Sequence, residues 1–133
     1  MRLEQIDHVA LTCASPEASK DWYVRVLGFV HVYPGQWKGV PVFLRLGTTF
    51  IALFPSKGPG RELPPVRLDH LAFRAATSAD FKDAQQGLRR QGVPFQFQDH
   101  GISHSIYFAD PDGHELEITT YDLPLEGPGG QGT

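Results

Sequence analysis

The chain carries one short phrase twice. Residues 6–12 read IDHVALT and residues 68–74 read LDHLAFR, with Asp-His at the same place and Ala two positions after each His. The residues downstream of each copy match too: a serine suited to cap a helix (Ser15, Ser78) and a glycine suited to stop one (Gly28, Gly92). The offsets from His8 to His70, Ser15 to Ser78 and Gly28 to Gly92 are 62, 63 and 64 residues. A repeat at that spacing is one supersecondary unit present twice.

In the first copy, residues 6–12 alternate as a strand, with Ile6, His8, Ala10 and Thr12 on one face. Ser15-Pro16-Glu17 predicts a helix start, with Ser as cap, Pro at the first helical position and Glu near the positive dipole end. Ala18, Trp22, Val26 and Leu27 form its expected buried stripe. Short apolar runs at 29–33, 40–46 and 50–54 predict three more strands, divided by Pro34-Gly35 and Gly47-Thr48. The second copy repeats the order: strand 68–74, a helix capped by Ser78 with Phe81, Ala84, Gln85 and Leu88 inward, then strands 93–98, 105–109 and 115–120. Asp110-Pro111-Asp112-Gly113 predicts a tight hairpin between the last two.

Either sheet alone would leave one apolar face wet, so pairing the two modules and covering them with helices is the expected solution. The expected fold class is α+β: two tandem βαβββ modules whose mixed sheets curve around a shared cavity. The expected boundaries are a single domain over residues 1–133, with module one at about 4–55, a Gly/Pro-rich linker at 56–65, module two at about 66–121, and a tail at 122–133 that reads as disordered.

The formal net charge of −3 gives no footprint for nucleic acid or an anionic membrane, which leaves a small molecule as the expected partner. No apolar run approaches the roughly 20 residues of a membrane span. The N-terminal stretch lacks a hydrophobic signal core, and the single cysteine, Cys13, cannot make an internal disulfide. The expected setting is therefore cytoplasmic, with Cys13 a small core residue.

His8 and His70 occupy equivalent positions on duplicated strands. On the last strand Glu115, Glu117 and Thr119 share one face, opposite Leu116 and Ile118. Taken singly, a strand His is more often a hydrogen-bonded core residue than a ligand, and a strand Glu is usually solvated. Duplication of the Asp-His phrase with a late Glu shifts the balance to a metal site on His8, His70 and Glu117. Two imidazoles and one carboxylate leave positions open for water or substrate, and suit Fe(II), Mn(II), Ni(II) or Zn(II). The shared cavity is thus expected to contain a divalent ion. His31, His100, His104 and His114 read as surface or structural.

The phrases IDHVALT, DWYVRVLGF, LDHLAF and YFADPDGHELEI together resemble the vicinal oxygen chelate superfamily, which contains glyoxalase I, extradiol dioxygenases, fosfomycin thiol transferases and bleomycin-resistance proteins. The resemblance runs from about Ile6 to Tyr121. It implies paired βαβββ modules, a homodimer, and metal ligands at His8, His70 and Glu117. Ala52, in FIALF, stands where glyoxalase I carries a fourth, carboxylate ligand. Tyr107 lies where the fosfomycin enzymes have a substrate-contacting Tyr, yet the loop from Gln98 to Ser103 lacks that subgroup's basic and hydroxyl residues.

The expected protein is a small metal-dependent enzyme. It would bind a substrate through vicinal oxygens and stabilise an enolate-, oxyanion- or peroxo-type intermediate, as a dioxygenase, lyase or thiol transferase does. Tyr107 is the candidate catalytic side chain, and Arg45 and Trp37 are candidate substrate contacts. The alternative is a metal-free, drug- or metabolite-sequestering protein of the bleomycin-resistance type, with Trp22, Trp37, Phe43 and Phe95 available to line its cavity.

Overall fold

The computed structural model describes residues 1–2, 4–56 and 68–123. The chain divides into two compact units, Met1–Pro65 and Val66–Thr133, each with the expected βαβββ order. Most of the expected linker and tail falls on residues 57–67 and 124–133, outside those described.

In the first unit β1 (Val9–Cys13) precedes α1 (Pro16–Trp22), and β2 (Val30–Val32), β3 (Val42–Leu46) and β4 (Thr49–Pro55) come after it. They form a mixed sheet in the order β1-β4-β3-β2, in which only the β1–β4 pairing is parallel. Ser15 caps α1 as expected: its hydroxyl accepts from the Ala18 amide at 3.1 Å. After Trp22 the helix widens into a π-turn at Tyr23–Leu27 and stops at Gly28, whose φ of 82° only glycine adopts freely. The buried side chains of this helical segment are Ser19, Trp22 and Tyr23, while Ala18 is exposed. The stripe is thus rotated from the expected one, because the interior accepts the small hydroxyl of Ser19 and the π-turn shifts the phase after it. The helix packs on β1, β3 and β4, where Leu11, Leu44, Ile51 and Leu53 form the core. Each such side chain, fully buried, contributes about 1.5–3 kcal/mol.

The second unit repeats the plan with β5 (Leu71–Arg74), α2 (Ser78–Arg90), β6 (Gln96–Asp99), β7 (His104–Ala109) and β8 (Glu115–Thr120). Its sheet order is β5-β8-β7-β6, again with one parallel pair, β5–β8. Phe81 and Leu88 of α2 are buried, and the sheet contributes Ile106, Phe108, Leu116 and Ile118. The cap is Thr77 rather than Ser78: Thr77 Oγ1 accepts from the Asp80 amide at 3.0 Å. Two adjacent hydroxyl residues could each serve, and the chain uses the first.

The hairpin between β7 and β8 is built as its sequence demands. Asp110 Oδ1 accepts from the amides of Asp112 and His114, each at 2.9 Å, and Gly113 takes a φ of 87°. Asp110 Oδ2 lies 2.6 Å from His114 Nδ1, so His114 is a structural residue of the turn, as its sequence context suggests.

In both units the first ladder begins later than the alternation suggests. Pairing opens at Val9↔Ile51 and at Leu71↔Leu116, so His8 and His70 each sit one residue before their strand. Neither backbone is locked by the ladder at that point. Both imidazoles stand at a strand mouth.

Candidate metal centre

In the second sheet Ala72, Glu117, Tyr107 and Gln96 form one row across four strands, on the face away from α2. His70, two residues before Ala72, reaches the same row. Its Nε2 lies 3.0 Å from Glu117 Oε1, and its Nδ1 lies 2.7 Å from Asp69 Oδ2. Glu117 is 8% exposed although it is a carboxylate, and that burial needs partners. The second is Ser105, whose hydroxyl donates to Glu117 Oε2 at 2.6 Å.

Two carboxylates therefore flank one imidazole. The Asp69 hydrogen bond raises the His70 pKa most; desolvation opposes it, and the charge of Glu117 adds to the rise. The arrangement favours a positive charge at His70 Nε2, which a proton or a metal ion can supply. The spacing fits a metal. Two adjacent ligands at about 2.1 Å from one ion and at right angles stand about 3.0 Å apart. The Asp69 contact fixes the imidazole and leaves Nε2 to coordinate, as carboxylates behind metal-bound histidines do.

His8 in the first unit is prepared in the same way, with Nδ1 2.8 Å from Asp7 Oδ2. Strand alternation alone would have put Asp7 on the opposite face. Because residues 7 and 8 precede the ladder, the two side chains meet instead. The repeated Asp-His phrase thus encodes an oriented imidazole twice. Asp7 and Asp69 belong to the repeated motif, but alternation gives no hint of this role.

Tyr107, a member of this row, holds its ring 6.2 Å from that of His70 in an edge-on arrangement. Burial, then the negative charge of Glu117, push its phenol above the ordinary value, so it stays protonated and can donate. His100, which the sequence suggests is surface or structural, is 2.9 Å from the Tyr107 hydroxyl through Nε2. The turn that carries His100 there is pinned by Asp99 Oδ1, which accepts from the Gly101 amide at 2.8 Å. Tyr107 and Glu115 also line a cavity of about 620 Å³ with Phe95 and Gln96. Glu115, Asp69 and His70 bring ligand atoms within 4.8 Å of one another, as do Asp110, Asp112 and His114 in the hairpin.

The other predicted contacts lie in the first unit. Trp37 lines a cavity of about 500 Å³ with Asp7, His8, Tyr33, Phe43 and Phe50. Phe43 is its hub: its ring centroid lies 5.3 Å from His8, 5.9 Å from Tyr33, 5.7 Å from Trp37 and 6.0 Å from Phe50. Arg45 is half-buried, donates to the Gly47 carbonyl at 3.3 Å, and is not among the residues that line this cavity. Trp22 is a core residue, edge-on to Tyr23 at 5.1 Å. Cys13 is buried, as expected.

These features place the chain in a known family. The model of the glyoxalase/bleomycin resistance protein/dioxygenase superfamily matches residues 5–118, and the protein belongs to that superfamily. It is 33% identical over 131 residues to biphenyl-2,3-diol 1,2-dioxygenase 2 of Rhodococcus globerulus, covering 90% of this chain and 65% of that enzyme. The chain thus spans somewhat less than two thirds of that dioxygenase. It is 30% identical over 119 residues to the glutathione transferase FosA of Serratia marcescens, covering 87% of this chain and 80% of that one. Among solved structures, a glyoxylase/bleomycin resistance protein/dioxygenase domain from Frankia sp. superposes with a TM-score of 0.74 at 26% identity, covering 96% of both chains. Among the described residues, no helix is long and apolar enough to cross a membrane.

Proposed function

We propose that the chain is a metal-dependent enzyme of this superfamily, with His8, His70 and Glu117 as ligands to one divalent ion. The observation that carries the reading is the His70–Glu117 pair, spaced at 3.0 Å with the far imidazole nitrogen held by Asp69. His8, oriented in the same way by Asp7, is the third ligand, supplied by the same chain or by a second copy in a homodimer. Fe(II), Mn(II), Ni(II) and Zn(II) all accept this donor set. A bound ion of this kind would supply Lewis acidity at open positions to a substrate carrying two neighbouring oxygens.

The chain's own side chains indicate what such a substrate looks like. Tyr33, Trp37, Phe43 and Phe50 beside His8 offer flat apolar walls, which suit a ring better than a phosphonate. Tyr33 and Trp37 adopt left-handed backbone angles, φ 52° and 54°. Such strain in non-glycine residues is found where a loop is shaped for a ligand. Tyr107, kept protonated and coupled to His100, is placed to donate a proton or hydrogen bond to a substrate oxygen. Arg45 has less support as a substrate contact, since its guanidinium is engaged with Gly47.

The favoured reaction is therefore oxygenation of an aromatic vicinal diol, in a cytoplasmic enzyme that binds neither nucleic acid nor membrane. The test is oxygen uptake by Fe(II)-reconstituted protein with biphenyl-2,3-diol. Uptake that is lost in His70→Ala supports the reading. No uptake, with thiol addition to fosfomycin in its place, moves the chain to the transferase branch. A sequestering protein would bind the diol without metal or turnover, and the aromatic cavity is what favours that second reading.

A further inference from the structure

The proposed ligand Glu117 is held by a residue to which neither the repeat nor the metal motif points. Ser105 is fully buried on β7, on the row next to that of Glu117 and facing the same side of the sheet. Its Oγ stands 2.6 Å from Glu117 Oε2 and 2.9 Å from Thr119 Oγ1. Proton accounting sets the direction of this short chain. A ligating carboxylate is deprotonated and can only accept, so the single Ser105 proton goes to Glu117. The Ser105 oxygen is then left to accept: Thr119 Oγ1 reaches it at 2.9 Å, and the Tyr107 phenol also lies within hydrogen-bonding reach of Ser105 and Glu117. Thr119 Oγ1 also lies 3.3 Å from the His104 carbonyl, a longer and weaker alternative for the same proton.

We propose that Ser105 is a positioning residue for the metal centre. By occupying Oε2 it turns Oε1 toward His70 Nε2, and it limits the carboxylate to one ligating oxygen. A monodentate carboxylate leaves one more coordination position for substrate than a chelating one does. The inference rests on the assignment of Glu117 as a ligand. It adds that the geometry of this carboxylate is set by the Thr119–Ser105 relay and not by the ion alone. Charge-assisted hydrogen bonds of this length are among the strong ones, and loss of such outer partners typically costs about 10–100-fold in metal affinity.

The test uses Co(II) as a spectroscopic probe on the whole 133-residue chain. Dissociation constants come from chelator competition, and visible ligand-field bands report coordination number. Ser105→Ala is expected to bind Co(II) about 10–100-fold more weakly than wild type, with shifted bands. Thr119→Val, which removes only the outer member of the relay, is expected to give a smaller loss in the same direction. Ser19→Ala deletes an equally buried hydroxyl in the other unit and should leave both readouts unchanged. Thermal melting of the metal-free variants identifies any that fail to fold, and Thr119→Val then decides. Wild-type affinity and bands in Ser105→Ala and in Thr119→Val, with Glu117→Gln still strongly impaired, would overturn this inference alone. If wild type binds no Co(II), or Glu117→Gln binds it as wild type does, the ligand assignment fails and this inference with it.

Discussion

Nε2 of His70 and Oε1 of Glu117 are 3.0 Å apart although the two residues lie 47 positions apart in the chain, brought together by the parallel pairing of β5 with β8. Without a metal the contact is an ion pair that needs a protonated imidazole. With one, the same spacing suits two adjacent ligands. In the proposed centre, a proton and a metal ion would compete for a single place between the two groups.

That competition gives a pH dependence of definite sign. The His70 pKa is raised, chiefly by the Asp69 hydrogen bond. In metal-free protein its stabilising contribution is complete below the unfolded imidazole value of about 6.5 and fades as pH rises through the higher folded value. Melting temperatures of wild type and His70→Gln in chelator should therefore differ most below the ordinary imidazole value of about 6.5, and the difference should shrink as pH rises above it. A difference that stays constant as pH rises contradicts the assignment. Metal affinity should run the opposite way, weakening as pH falls.

Removing the orienting carboxylates should weaken metal binding without removing a ligand. Asp69→Ala and Asp7→Ala are each expected to lower affinity about 10–100-fold, measured by chelator competition. An unchanged affinity would mean that the Asp-His phrase has another purpose.

Trp37 should matter to ligand and not to fold, since it is 54% exposed on a turn beside the His8 cavity. Losing one aromatic wall costs about 0.5–1.5 kcal/mol of binding beyond its buried area. Trp37→Ala should weaken biphenyl-2,3-diol binding several-fold in calorimetry while its melting temperature holds.

The core behaves differently. Leu44 and Ile106 are fully buried, one in each sheet, on the faces that meet the helices. Leu44→Ala and Ile106→Ala should each cost about 2–5 kcal/mol in urea unfolding. Unequal losses would show that one site collapses more readily around its cavity.

The strand-helix order of both modules was legible because alternation, caps and stops all recur at matched spacing. The expected hairpin also appeared with its turn at Asp110 to Gly113, since Asp, Pro and Gly specify local geometry by themselves. The paired contact of His70 with Glu117 arises from a parallel ladder that joins the first and last strands of a module. The features hidden from sequence depend on side-chain direction at particular places. His100 reaches Tyr107 only because a turn at Gly101, φ 82°, brings a loop residue back over its own strand pair. Ser105 carries no signal beyond strand propensity, and its meaning appears when its row is set beside that of Glu117. The buried stripe of α1 was displaced because the interior takes Ser19 in place of Ala18 and because the π-turn after Trp22 breaks the 3.6-residue period on which the expectation rested.

The most direct test of the account is metal content per chain after reconstitution under replete conditions, by elemental analysis of wild type and of His8→Ala, His70→Ala and Glu117→Gln. The account predicts about one divalent ion per wild-type chain and a loss of most of it in each variant. No metal in wild type, or full metal retained in the three variants, would contradict it.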